Sequence, residues 1–229
     1  MSTPQSNIND QYLAAMGVTQ WVRRDVSKFE PAFKETLVDD VAELDWETLE
    51  ARVASCTNCD LHKGRTQTVF GTGNKNAHWM IIGEAPGADE DRQGEPFVGR
   101  AGQLLNAMLL AIGLKREEVY IANTVKCRPP NNRNPLPAEA QLCESFLKRQ
   151  IELIQPDIIL AVGKVAAQNI LHSDETVGAM RGKQLLLPEF NIPVVVTYHP
   201  AYLLRSPGEK RKAWQDLKLA RNIFNALKN

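Results

Sequence analysis

The chain has 229 residues, enough for one substantial α/β domain or two small ones. Its 43% hydrophobic and 24% charged content is that of a globular protein, and a formal net charge of zero removes any global electrostatic case for binding nucleic acid. No apolar run reaches the ~18 residues of a membrane span, and the polar start "MSTPQSNIND" lacks a basic-then-apolar leader, so a cytoplasmic protein is expected. Charge is nevertheless uneven. Residues 1–50 hold ten Asp and Glu against four Lys and Arg, whereas residues 205–229 hold seven Lys and Arg against two Asp and Glu. The basic end is either a phosphate-facing surface or a solvated helix face.

Residues 1–45 read as an acidic N-terminal appendage, partly helical or disordered. Within it, "DQYLAAMGVTQWVRRD" contains a short amphipathic helix with Leu13, Met16 and Trp21 as packing residues. That helix either docks on the main domain or recruits a partner. A regular domain then occupies residues 46–229. Four apolar, β-rich runs follow in order: "HWMIIG" (78–83), "EVYIANT" (118–124), "DIILAVG" (157–163) and "IPVVVTY" (192–198). They are near-continuous rather than alternating, as strands buried on both faces are. Helical stretches separate them. "GQLLNAMLLAIG" puts Leu104, Leu105, Met108, Leu109 and Ile112 on one stripe, with Gly113 as a C-cap. "LPAEAQLCESFLKRQIELI" opens with Pro137, which suits a first helical turn. "KVAAQNILH" and "EKRKAWQDLKLARNIFNALK" complete the set. Strands alternating with helices imply an α/β protein with a parallel sheet covered on both sides.

In such sheets ligands bind beyond the carboxyl ends of the strands. The first strand runs into the turn Gly83–Glu84–Ala85–Pro86–Gly87, and the second carries Asn123 at its tip. The third meets a helix N-terminus at "GKVAAQ", and the fourth ends in "HPAYLLR" with His199. Asn123 offers a donor and an acceptor in one plane, matching a pyrimidine edge with a carbonyl beside an N–H. Phe97, in "EPFVGRAG", is placed to stack on such a ring. His199 can donate to an oxygen that gains negative charge, with either a neutral or a charged imidazole. Glu84 can orient a water. Tyr202, Leu203 and Leu204 supply apolar side chains for a wedge into a base stack. Each residue also has a plainer reading as core, cap or turn; convergence on one rim is what singles them out.

The four cysteines form two remote pairs, Cys56 with Cys59 and Cys127 with Cys143. In a reducing compartment paired cysteines point to metal or redox chemistry rather than disulfides. Tetrahedral zinc accepts four thiolates, although C-x15-C is unlike the second half of a zinc ribbon.

Three blocks, "GEAPGADEDRQGEPFVGRAGQLL", "NTVKCRPPNNRNPLPAEAQLC" and "HPAYLLR", resemble the signature blocks of the family 4, iron–sulfur type uracil-DNA glycosylases. The resemblance covers roughly residues 50–228. It implies a three-layer α/β/α sandwich with a central four-stranded parallel sheet. It also implies a [4Fe–4S] cluster on Cys56, Cys59, Cys127 and Cys143, with zinc the alternative occupant, shaping DNA-binding loops rather than passing electrons. The implied substrate is uracil-containing DNA, and the products are free uracil and an abasic site. Phe97 would stack on uracil, Asn123 would read its N3–H and O4 edge, and the turn with Gly83, Ala85 and Gly87 would line the pocket. Glu90 would block the C5 methyl of thymine. His199 would donate to O2, and Glu84 would hold the water, where family 1 enzymes place an Asp. Leu203 or Leu204 would fill the gap left by the flipped base, while Arg100, Lys126, Arg128 and Arg205 would meet phosphates. A monomer is expected, with a replication or repair partner for the N-terminal segment. The rival reading on the same fold is a non-catalytic DNA-binding accessory protein.

Overall fold

The computed structural model describes residues 15–17 and 41–228. The chain divides into two compact units, Met1–Leu37 and Val38–Asn229. In the first unit Met16 is exposed, while Leu13 and Trp21 lie outside the described residues.

The second unit is built on one sheet. Strands β1 (Thr72–Gly73), β2 (Trp79–Gly83), β3 (Tyr120–Asn123), β4 (Ile158–Val162), β5 (Leu185–Leu187) and β6 (Ile192–Thr197) lie in the order β1-β3-β2-β4-β6-β5. The four inner strands are parallel, and every residue in them is buried. These are the four apolar runs of the sequence, within two residues at each end. Two antiparallel edge strands extend the expected four to six. At two and three residues, they are too short to leave a period.

Helices α1 (Trp46–Ala54), α2 (Ala88–Gln93), α3 (Arg100–Ala111), α4 (Pro137–Ile154), α5 (Lys164–Leu171), α6 (Val177–Met180), α7 (Pro200–Arg205) and α8 (Lys210–Lys228) cover the sheet. Successive strand residues point to opposite faces. Met80, Ile82, Ile159 and Ala161 pack under Leu147 and Ile151 of α4 and Ala166 and Ile170 of α5. Trp79, Ile81, Ile158 and Leu160 pack under Leu105 and Leu109 of α3 and Leu217 and Ala220 of α8. A third cluster joins Leu49 and Val53 of α1 to Cys143 and Phe146 of α4. Burying one such aliphatic side chain contributes about 1.5–3 kcal/mol, so each layer is firmly held. Past the end of helix α3 and its cap Ile112, Gly113 at φ 82° supplies the left-handed residue that closes the C-terminus. Helix α4 starts at Pro137, and Glu139 reaches back 2.8 Å to the free Leu136 N–H. No described helix is long and apolar enough to cross a membrane.

Candidate active site

The carboxyl ends of β2, β3, β4 and β6 form one rim, carrying Gly83, Asn123, Gly163 and His199. Gly83 lies in register with Asn123, and the two tips stay joined past the ladder. Thr124 N donates to Gly83 O (3.0 Å), Val125 N to Glu84 O (3.2 Å) and Thr124 Oγ1 to Glu84 O (2.6 Å). The Asn123 side chain is only 2% exposed, yet its Oδ1 has no hydrogen-bond partner. An unmet buried acceptor costs about 1–3 kcal/mol, so this oxygen is free to accept from a donor brought by a ligand or water. Gly83 makes room for this arrangement. A Cβ there would collide with Asn123 Oδ1 and come within 2.6 Å of the Phe97 ring.

Phe97 is buried and has a φ of 55°, a left-handed conformation that costs a non-glycine residue about 1–3 kcal/mol. Several groups hold it there. Arg116 Nη2 donates to Pro96 O at 2.6 Å and Nη1 to Phe97 O at 3.3 Å, while Nη1 also reaches Asn106 Oδ1 at 3.1 Å. Gly102, inside α3, lets the helix press against the Phe97 carbonyl, where a Cβ would overlap the oxygen. Glu90 binds the far side, accepting from Gly87 N (3.1 Å), Val98 N (3.1 Å) and Gly99 N (3.4 Å). Its carboxylate is thus committed to fixing the loop that follows Phe97. The Phe97 ring stacks on His199, with centroids 5.6 Å apart and planes inclined by 30°.

His199 caps α7. Its Nδ1 accepts the Ala201 backbone N–H at 3.1 Å, so Nδ1 carries no proton and the neutral ring holds its hydrogen on Nε2. Burial, with the nearby Arg205 cation adding to it, lowers its pKa to about 4. At neutral pH the ring is therefore uncharged, with its hydrogen on Nε2. Gly163, at φ 101°, lets the β4–α5 corner pass close to the imidazole; a Cβ there would lie 3.0 Å from the His199 Cβ. Glu84 is half-buried, and burial raises its carboxyl above the usual range. Among the described residues its carboxylate has no hydrogen-bond partner.

Asn123, Phe97, Gly83 and His199 therefore meet, while two expected residues fall elsewhere. Lys126 is 1% exposed, and its ammonium donates inward to Asn123 O (3.0 Å) and Gln150 Oε1 (2.6 Å). Burial lowers its pKa to about 8. It braces the β3 tip and is not a phosphate contact. Leu203 is 1% exposed and belongs to the core beneath α3 and α8, because the α7 register turns it inward. Leu204 is half-buried, whereas Arg100, Tyr202 and Arg205 are exposed. Arg128 Nε donates to Asn132 Oδ1 at 2.7 Å. Sequence reasoning missed Arg116, Gly102, Gln150 and Asp91, whose buried carboxylate accepts Thr66 N at 2.9 and 3.1 Å. Only Gly102 left a signal, as a glycine inside a helical pattern.

The four cysteines, all free, line a single small cavity with Val53, Arg65 and Phe146. Arg65 Nη1 donates to Cys127 Sγ at 3.1 Å and Lys126 N to Cys143 Sγ at 3.3 Å. Burial raises the Cys127 thiol and pushes Cys143 up to about 12. Among the described residues no three His, Cys, Asp or Glu side chains converge as a single-ion site. Zinc needs its sulfurs at about 2.3 Å from one centre. A four-iron cluster takes one thiolate per iron. Four thiols around one cavity are a donor set that a four-iron cluster would accept, as tetrahedral zinc also would.

Residues 70–218 match the uracil DNA glycosylase superfamily. A type-4 uracil-DNA glycosylase of Archaeoglobus fulgidus is 45% identical over 172 residues, covering 72% of this chain and 86% of its own. Those of Thermotoga maritima and Pyrobaculum aerophilum are 42% and 40% identical, covering 78% and 77% of this chain and 94% and 93% of theirs. With Asn123, Phe97 and His199 gathered at one sheet edge and four cysteines around one cavity, the chain belongs to the type-4 uracil-DNA glycosylases.

Proposed function

We infer that the protein removes uracil from DNA by hydrolysing the N-glycosidic bond, the entry step of base excision repair, and that it does so with the rim residues. The observation that carries the residue assignment is the unpaired, buried Oδ1 of Asn123 beside the Phe97–His199 stack. Uracil turned out of the helix slides over Phe97. Its N3–H meets Asn123 Oδ1, and its O4 accepts from the same amide. Cytosine offers an acceptor and a donor in the reverse order, leaving buried groups unpaired, and a site built this way rejects it strongly. Extrusion costs a few kcal/mol, and less at a mismatch.

As the bond from C1′ to N1 lengthens, its electron pair passes to the base and negative charge gathers on O2. The Nε2–H of His199, fixed by the Ala201 N–H on the opposite nitrogen, donates to that oxygen. Glu84, as a carboxylate, orients the water that attacks C1′ and stabilises the cationic sugar. Glu90 keeps the Phe97–Gly99 loop in place, which narrows the space beside C5 against thymine. Gly83, Ala85 and Gly87 line the base pocket. Leu204 enters the gap in the stack, and Arg100, Arg128 and Arg205 face phosphates.

Cys56, Cys59, Cys127 and Cys143 would hold a [4Fe–4S] cluster, whose task is structural. It would pin the loop after β3 to α4 and to the turn after α1. Residues 46–229 act as the catalytic domain, and residues 1–45 are an appendage that recruits a replication or repair partner. The protein works as a cytoplasmic monomer.

A single-uracil oligonucleotide incubated with the protein should become alkali-sensitive at the uracil, and Asn123→Ala and His199→Ala should slow this strongly while retaining the cluster. No alkali-sensitive breaks at excess protein would refute the activity and favour the accessory-protein reading. Wild-type rates in either variant would refute that residue's role.

A further inference from the structure

Helix α8 carries a surface that the rim does not use. Its exposed residues include the cations Lys210, Arg211, Lys212, Lys218 and Arg221, beside the uncharged Gln215, Asn222 and Asn225. Its one carboxylate, Asp216, is fully buried against Arg181 and Thr197. Lys212 pairs with Glu209 at 2.8 Å; among the described residues Lys210, Arg211, Lys218 and Arg221 have no ion-pair partner. Trp214 stands among them, 40% exposed, with the Lys218 ammonium 5.8 Å from its ring centre. Open clefts flank the indole. One reaches Leu104, Leu203 and Lys210, the other reaches Lys218, Arg221 and Asn225, and neither contains a carboxylate. The face has a direction. It begins just past α7 and Arg205 at the rim, and α8 ends where Lys228 meets Asp157 (2.7 Å), beside the first residue of β4.

We propose that this face is an accessory track for the single strand of DNA leaving the catalytic rim, with Trp214 stacking on a base and Lys210, Lys218 and Arg221 meeting phosphates. The proposal rests on the reading that the rim engages uracil-containing DNA. Backbone-tracking cations around an exposed aromatic ring hold single-stranded nucleic acid without sequence preference. From Lys210 to Arg221 the helix rises about 16 Å, the length of about five stacked nucleotides at ~3.4 Å each. An acidic peptide would also meet these cations, but a track that starts at the rim fits the polymer already held there.

The test measures KM and kcat for uracil release by the full-length protein on two single strands. One has a few nucleotides on either side of uracil, and the other is the same strand extended by about ten at each end. The wild type should show a lower KM on the extended strand. Trp214→Ala should raise that KM about tenfold and leave both constants on the short strand unchanged. Lys218→Glu with Arg221→Glu should do the same and flatten the log–log salt dependence by about 0.7 per lost phosphate contact. Variants that match the wild type, or that lose equally on both strands, overturn the proposal. So do variants that keep extended-strand binding but lose a polyglutamate peptide bound by the wild type, which would assign the face to a protein partner. Anisotropy of a labelled extended strand reads the same contrast without catalysis. Failure to release uracil would therefore strike the underlying reading and not the track.

Discussion

Replacing Arg116 by alanine probes how the stacking platform is held. Phe97 sits at φ 55°, a conformation that costs about 1–3 kcal/mol. Arg116 offsets that cost with a 2.6 Å bond to Pro96 O and a longer 3.3 Å bond to Phe97 O. A hydrogen bond to a charged group contributes about 1.5–3 kcal/mol, and the longer bond adds less. Clamp and strain are thus of similar size, and removing the clamp lets the strained form become the minor one. If the platform is correctly placed in only ~1–10% of molecules, apparent substrate affinity falls by the same factor. Uracil-release kinetics should therefore show kcat/KM lowered about 10- to 100-fold in Arg116→Ala, chiefly through KM. Arg116→Lys, which can keep the shorter bond, should fall between. A kcat/KM within twofold of wild type in Arg116→Ala would refute the clamp.

Other outcomes follow from the same geometry. Gly102→Ala places a methyl on the Phe97 carbonyl oxygen and should cost activity even where the protein stays folded, checked by kinetics beside a melting curve. His199→Ala removes one preorganised donor and should lower kcat about 100- to 1,000-fold, measured in single turnover. The His199 pKa of about 4 leaves the ring neutral throughout the usual assay range, so the pH–rate profile should show no break near 6.5. Glu84 must be ionised, and its raised pKa means activity is present above that value and is lost as pH falls through it. Cys127→Ser should lose iron, labile sulfide and thermal stability together; a purified wild type holding stoichiometric zinc and no iron would contradict the cluster assignment.

Much of this was legible in the sequence because the inner strands are buried on both faces and announce themselves as unbroken apolar runs. Once their order was clear, the strand tips fixed Asn123 and His199, and chain topology alone put them on one rim. The edge strands Thr72–Gly73 and Leu185–Leu187 were invisible because they are shorter than any readable period. Lys126 misled because a lysine ahead of a proline-rich loop looks exposed. Its burial depends on Gln150, 24 residues on, whose own amide is held by Phe70 O and Tyr120 Oη. Leu203 and Leu204 could not be told apart, since a six-residue helix gives too little register to show which side faces the core. Arg116 was hidden for a related reason, because its bonds to the Phe97 loop join segments 19 and 20 residues apart.

In the proposed reaction a pyrimidine is gripped by its N3–O4 edge and cut from its sugar. Identifying the free base released from otherwise identical oligonucleotides carrying uracil, cytosine or thymine tests this most directly. Free uracil alone, with release strongly slowed in Asn123→Ala, is the result this account requires. Release of cytosine or thymine at a comparable rate, or an Asn123→Ala variant that still frees uracil at full speed, would contradict it.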